Sequence, residues 1–451
     1  MHQKKIEGGM HVSKLLTGDL AAFESNPLDF LTYLSTQSDV ASFRLGPFQN
    51  IQLISDPEMI KEILVTKQNN FVKSQDMTVL KSVVGNGLLT SEKDMHRSQR
   101  KRIQPAFKKN HISVYGEDMI QTTDDYIQQW KDNDQRAISE DMMNITLGII
   151  SKTMFGMPFQ DGHKQIGKPM ETVMQQAVKR MRAIIQLPLW IPVKNNKQLK
   201  QAVKSLDDVL FTIIANRRKD EQQNEDLLGI LMDATDETGI HQMSDKQLRD
   251  ELMTIFLAGH ETTANALIWT FYLLTQNPEA ERKLFDEIDS VIGSRKPSAE
   301  DYMNLPYTQH VFSESLRLYP PAYVIGRKAD KNVEIDGHLF KKGNMILISP
   351  YVMHRKPEYF ENPNSFIPER FERERQKELP DFVYFPFSGG PRVCIGNHFA
   401  MMEAVLVIAT IARRFQLKLA DDPKEVKPQP LITLRAKNVP LMRIEDRMKE
   451  K

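Results

Sequence analysis

The sequence predicts a mainly α-helical protein with a minor β region, and three observations carry that expectation. Helical periodicity dominates residues 56–292. One uninterrupted, unusually apolar helix follows Ser244. Strand signals are confined to residues 41–55 and 323–349.

The long helix is the clearest element. Ser244-Asp-Lys-Gln247 reads as a capping box, with Ser244 as N-cap and Gln247 at the third helical position. The pattern continues to Asn277-Pro278, where proline stops it. At roughly 30 residues and about 1.5 Å per residue such a helix crosses a whole domain. Its apolar character after residue 252 means burial on most faces. Residues 41–55, rich in Phe, Leu and Ile around Gly46-Pro47, read as a β-hairpin. Between residues 323 and 349 strands recur, with Asp336-Gly337 as a turn. A further helix is expected over 397–415.

Across 451 residues no Gly/Ser-rich or low-complexity stretch marks a linker. Residues 1–9 resemble neither core nor anchor and are set apart as an extension or tag, leaving 10–451 as a single domain. The formal net charge of +1 gives no general argument for nucleic acid or an acidic substrate. The polar N-terminus lacks the apolar stretch of a signal peptide. No window holds about 18 uninterrupted apolar residues, so no membrane span is expected and the protein reads as cytoplasmic.

Cys394 is the only cysteine, which excludes an intramolecular disulfide. It lies in Phe387-Ser-Gly-Gly390-Pro-Arg392-Val-Cys394-Ile-Gly396. A lone cysteine is a ligand, a nucleophile or an incidental buried thiol, and this neighbourhood favours the ligand. Gly390 and Gly396 allow sharp turns and close approach to a flat partner. The helix expected after Gly396 puts the sulfur just before a helix N-terminus, where backbone N–H groups stabilise a thiolate. Arg392 adds positive charge. An anionic sulfur held against an electrophilic partner points to a haem iron.

Two further segments carry signals. Inside the long helix, Ala258-Gly259-His260-Glu261-Thr262-Thr263 is poor helix material. A threonine hydroxyl there can bond a carbonyl one turn back, and a Glu in so apolar a helix is costly unless paired or functional. The segment is either a packing notch with a satisfied Glu or a groove at a reaction centre. Glu314 and Arg317 stand three apart on one helix face, and Arg370 in Pro368-Glu369-Arg370-Phe371 could complete a structural Glu–Arg–Arg cluster.

Together these segments closely resemble the signatures of the cytochrome P-450 haem-thiolate monooxygenases, in the same order and across nearly the whole chain. The resemblance implies a triangular-prism fold with the long helix over a buried haem b. It implies Cys394 as the axial thiolate and metal ligand, with Phe387 packed over the sulfur. Glu261 and Thr262 would be catalytic, managing proton delivery to dioxygen. Glu314, Arg317 and Arg370 would form a structural triad. His96 and Arg100 match the family's propionate-binding helix, with His96 where Trp is usual; Arg327 and Arg392 match the other propionate partners. Ala258 and Gly396 would also line the cofactor.

No Gly-x-Gly-x-x-Gly or other flavin or nicotinamide fingerprint is present. NAD(P)H electrons would therefore arrive indirectly, through a ferredoxin or flavodoxin and its reductase. Arg97, Lys101, Arg102, Lys108 and Lys109 are candidate docking cations on an expected monomer. The family's substrate-facing segments contain Leu80, Val83, Leu88, Ile184, Ala258, Ala322, Tyr323, Val324 and Ile325, nearly all apolar, which suits a terpenoid, steroid or fatty acid. The carboxylate anchor of bacterial fatty-acid hydroxylases is missing, because Gln49 and Leu53 occupy the nearest positions. Residues 184–192 read as an apolar lid packed on the body, the alternative being a patch that collects substrate from membranes. A peroxide-dependent peroxygenase, an isomerase and a non-enzymatic haem-thiolate sensor are the competing readings; the intact Glu261-Thr262 pair argues against the first two.

Overall fold

The structure, a computed structural model, describes residues 18–46, 49–74, 76–156, 163–182, 187–219, 226–235, 242–420 and 426–449. Its longer helices are α1 (Pro27–Ser35), α2 (Asp76–Val84), α3 (Lys93–Ile103), α4 (Lys109–Ile127), α5 (Ile138–Phe155), α6 (Lys168–Arg182), α7 (Lys194–Lys219), α8 (Asp245–Gln276), α9 (Pro278–Val291), α10 (Pro306–Leu318) and α11 (Asn397–Arg414). The strands are β1 (Val40–Leu45), β2 (Gln49–Ile54), β3 (Phe71–Lys73), β4 (Gln135–Arg136), β5 (Ile325–Ala329), β6 (Val333–Ile335), β7 (His338–Phe340), β8 (Met345–Ile348), β9 (Phe415–Leu419), β10 (Lys427–Pro430), β11 (Leu434–Lys437) and β12 (Met442–Asp446).

The expected punctuation is present. Ser244 Oγ accepts from the Gln247 N–H at 3.3 Å and starts α8, and Pro278 opens α9 directly after Asn277. Residues 41–55 form the antiparallel β1–β2 hairpin, Ala41 opposite Leu53. Asp336 and Gly337 take φ values of 45° and 71° between β6 and β7, the double left-handed pair that a tight hairpin turn requires.

The chain divides into two compact units. One comprises the residues up to Ser74 together with Tyr323–Pro363 and Leu379–Val393. Its five-stranded sheet runs β1-β2-β8-β5-β3; β2 and β8 are parallel and the other pairs antiparallel. Ile54, Ile60, Ile63, Leu64, Phe340, Ile346 and Ile348 fill its larger core. Leu31 of α1 joins Phe43, Leu53 and Val352 in a second.

The other unit comprises Gln75–Ala322, Asn364–Glu378 and the residues from Cys394 onward. Here α8 is the central column, packed by α5, α7, α10 and α11. From Leu248 to Leu274 every residue of α8 is buried except Ala258, Gly259 and Thr262. Small sheets, β4-β12-β9 and the β10–β11 hairpin, complete it.

Candidate active site

In the helical unit, Cys394 precedes α11, with Gly396 as the helix N-cap. Its side chain is accessible to a water-sized sphere, while the protein around it is dense enough that desolvation pushes the thiol pKa up. Two groups pull the other way: the Gly396 N–H, which donates to the sulfur, and the charge of Arg100. Arg100, half-buried on α3, is pulled down by its own desolvation and pushed back up by Cys394. A thiol with a backbone donor and a guanidinium charge nearby is poised to become a thiolate when it gains an electrophilic partner. His96 is buried one turn before Arg100 on the same helix.

The Ala258–Thr263 stretch of α8 combines a packing notch, a satisfied Glu and an accessible face. Gly259 is a packing notch, because a Cβ there would lie 2.5 Å from Ile150 Cδ1 of α5. Ala258 is exposed, and Thr262 Oγ1 donates to the Ala258 carbonyl at 2.6 Å from the same accessible face. Thr146 Oγ1 donates to the His260 carbonyl at 3.1 Å, fixing this segment to α5. Glu261 is 2% exposed and satisfied. It accepts from Thr433 Oγ1 at 2.6 Å and pairs with Arg435 of β11 at 2.9 Å.

An accessible thiol with a cation beside it, and an accessible patch in the middle of an otherwise buried helix, fit a haem held by sulfur. The whole-chain comparison decides the family: the model of "Cytochrome P450" matches residues 13–442. The chain belongs to the cytochrome P450 family. It is a haem-thiolate monooxygenase, an enzyme with a cysteine-ligated haem, redox protein partners and a lipophilic substrate. It is 35% identical over 427 residues to cyclooctatin synthase of Streptomyces melanosporofaciens, covering 93% of this chain and 92% of that one. To cyclooctat-9-en-7-ol 5-monooxygenase of the same organism it is 32% identical, covering 89% and 88%. The crystal structure of a cytochrome P450, CYP102L1, superposes with a TM-score of 0.84 at 25% identity, covering 95% of this chain and 96% of that one.

This P450 also brings Glu314, Arg317 and Arg370 together. Arg317 Nε and Nη2 grip the Glu314 carboxylate at 2.7 and 2.8 Å, with both residues fully buried. Arg370 Nε stands 3.4 Å from Glu314 Oε1, and the Ile367 N–H donates to the same oxygen at 2.9 Å. Arg317 also donates to the Ser365 carbonyl, so the pair pins the segment carrying Arg370 to α10.

In the sheet-bearing unit lies the rest of the cysteine loop. Gly390 has φ +67°, and a Cβ there would come 2.1 Å from the Leu64 carbonyl oxygen. His354 Nε2 accepts from the Phe385 N–H at 2.9 Å and fixes the approach to the loop. Phe387 and Arg392 are half-buried, as is Arg327 on β5, whose Nη1 donates to the Gly326 carbonyl. Tyr323 and Ile325 are buried and Val324 partly so; Ala322, in the helical unit, is exposed. Leu80, Val83 and Leu88 are buried at and beyond α2.

One expectation is corrected. Ile184 lies outside the described residues, and the described part of the 184–192 segment is not a packed lid: Trp190 is 76% exposed and Leu187 43%. Asn196 holds its turn through the Pro188 and Ile191 carbonyls, so the backbone is fastened while the aromatic side chain faces water. Among the described residues no helix is long and apolar enough to cross a membrane.

Sequence reasoning missed Asp250, Glu251 and Glu403. Each is a carboxylate buried in an apolar helix. The argument that singled out Glu261, the cost of an unexplained charge in such a setting, applies equally to all three.

Proposed function

We propose that this P450 inserts one oxygen atom of O2 into a C–H or C=C bond of a terpenoid, with electrons delivered by a ferredoxin or flavodoxin and its reductase. The observation that carries the substrate class is whole-length similarity to enzymes named for cyclooctatin and cyclooctat-9-en-7-ol. The apolar side chains Leu80, Val83 and Leu88 suit such a hydrocarbon skeleton. Leu53 is buried and Gln49 exposed on β2, which leaves neither as a carboxylate anchor and disfavours fatty acids.

Haem, when bound, would supply the oxidising chemistry, and the Cys394 sulfur would hold it. His96 and Arg100, with Arg327 and Arg392, would be the candidate donors for its propionates. The protein's own task is proton management. Thr262 presents Oγ1 on the accessible face of α8, where it holds a proton for transfer and passes it outward. Glu261, one residue earlier, is the relaying carboxylate, held in place by Thr433 and Arg435. Glu314, Arg317 and Arg370 hold structure rather than move protons. Residues 10–451 act as one haem domain, as a monomer in the cytoplasm, with Arg97, Lys101, Arg102, Lys108 and Lys109 as docking cations for the electron donor.

The test is a titration of purified holoenzyme with cyclic terpene alcohols and with fatty acids of matched size, followed by turnover with a ferredoxin and its reductase. Haem spin-state shifts and hydroxylated products with the terpenes support the reading. Shifts and products with fatty acids alone would replace the substrate class.

A further inference from the structure

In the first half of α8, Arg249, Asp250 and Glu251 place three successive ionisable residues in a stretch buried from Leu248 to Leu257. Successive helical residues point about 100° apart, so the three reach different neighbours. Arg249 Nε donates to Asp207 of α7 at 2.7 Å, and its Nη2 donates to the Val83 carbonyl in α2 at 3.2 Å. Asp250 accepts from the Asn86 N–H at 2.9 Å and pairs with Lys246 and Arg249, each at 3.0 Å. Glu251 Oε2 accepts from the Leu88 N–H at 2.8 Å.

The loop 85–88 is shaped to this seat. Gly85 has φ +82°, and a Cβ there would lie 2.0 Å from the Asp250 carboxylate. A Cβ at Gly87 would lie 2.4 Å from Thr254 Oγ1 and 2.5 Å from the Asp250 carbonyl. Only glycine lets the backbone come this close. From the other side Gln99 of α3 donates to the Asn86 carbonyl at 2.7 Å.

We propose that Asp250 and Glu251 are positioning residues that seat the 85–88 loop, and with it Val83 and Leu88 of the substrate wall, while Arg249 ties the same seat to α7. The consequence for substrate choice rests on the reading of Val83 and Leu88 as substrate-facing. Nothing in the proton-handling residues requires these ionisable groups, whose burial is costly without a partner.

The seat is also responsive to protons. Burial pushes the Glu251 carboxyl up to about 8; the Leu88 N–H opposes this and the Asp250 charge adds to it. Asp250 is the charge acting directly on Glu251, and Arg249 and Lys246 of α8 with Asp207 of α7 complete the charged groups of the seat, while Asn86, Leu88 and Gln99 contribute uncharged contacts. With the loop seated, Glu251 carries a proton at neutral pH. Lifting the loop lets water reach the carboxyl and returns its pKa toward about 4.3, so opening releases a proton. The open population therefore rises with pH up to about 8 and levels off above it.

The experiment is amide hydrogen exchange by mass spectrometry on a peptide spanning 85–91, in holoenzyme from pH 6 to 9, corrected for intrinsic exchange. Wild type should lose protection toward pH 8 by up to about tenfold per pH unit. Glu251→Gln keeps the acceptor for Leu88 and should show flat protection. Asp250→Ala should deprotect the peptide at every pH and weaken binding of bulky apolar ligands more than small ones, with the ferrous–CO spectrum unchanged. Identical pH profiles in wild type and Glu251→Gln overturn the seat. Deprotection in Asp250→Ala with every ligand affinity unchanged overturns instead the assignment of Val83 and Leu88 to the substrate wall.

Discussion

The Glu261 carboxylate is paired with Arg435, 174 residues further along the chain, at 2.9 Å. A residue on the central helix is thereby tied to the β10–β11 hairpin, with Thr433 as a second donor from the turn of that hairpin.

Removing that cation leaves a buried carboxylate with one donor. Arg435→Leu should cost about 2–4 kcal/mol, near the lower end of what breaking a buried pair costs because Arg435 is one-fifth exposed. The double variant Glu261→Gln/Arg435→Leu should recover much of the loss. Urea unfolding of the single and double variants measures both; equal losses in the two would show that the pair contributes nothing.

Arg317→Leu should be more damaging, because it leaves Glu314, with no exposure at all, only the longer Arg370 contact and the Ile367 N–H. A loss of about 3–5 kcal/mol is expected, with reduced haem retention during purification. Arg317→Lys should rescue poorly, since an ammonium cannot reproduce the two parallel hydrogen bonds at 2.7 and 2.8 Å. Wild-type stability in the Lys variant would contradict the bidentate role.

Thr262→Ala removes the Oγ1 proton donor from the accessible face of α8 while sparing the neighbouring Glu261 clamp. Folding should be near normal, because the hydroxyl bonds only one local carbonyl in the described contacts. Product formation should fall by up to about 10²-fold, with NAD(P)H consumption diverted to peroxide. Product yield per NAD(P)H equal to wild type would remove Thr262 from proton delivery.

Gly390→Ala tests the cysteine loop against an internal reference. Gly390 and Gly337 share a positive φ, at 67° and 71°, but only Gly390 has backbone within reach of a new Cβ. Gly337→Ala should cost about 1 kcal/mol. Gly390→Ala should cost at least about 2 kcal/mol more through overlap with the Leu64 carbonyl. Equal melting temperatures for the two variants would refute the close approach.

Stability should also carry a pH signature from Glu403, which is fully buried in α11. Burial pushes its carboxyl well above the usual range, with the Thr263 hydroxyl opposing. The folded protein then holds a proton that the unfolded chain releases above about pH 4.3. Stability is present below that pH and is lost as pH rises toward the folded value. Glu403→Gln should flatten this decline between pH 5 and 8; an unchanged slope would mean that Glu403 does not contribute.

What was legible in the sequence was local. Ser244 and Gln247 announce the start of α8, Pro278 its end, and Asp336-Gly337 the β6–β7 turn, because each depends on neighbours within a few residues. Cys394 was legible because glycines and a following helix are written beside it. The partners of buried charges were not. Leu88 meets Glu251 across 163 residues and Thr433 meets Glu261 across 172, and no periodicity encodes such distances. The apolar 184–192 segment reads as a packed lid, yet the backbone of its turn is fastened by Asn196 and leaves the Trp190 ring in water.

The most direct test of the central claim is the difference spectrum of dithionite-reduced holoprotein with and without carbon monoxide. Cys394 as axial thiolate predicts a Soret band at the position typical of thiolate-ligated ferrous–CO haem, lost in Cys394→Ala. A band at the histidine-ligated position in wild type, or an unchanged spectrum in Cys394→Ala, would contradict the assignment.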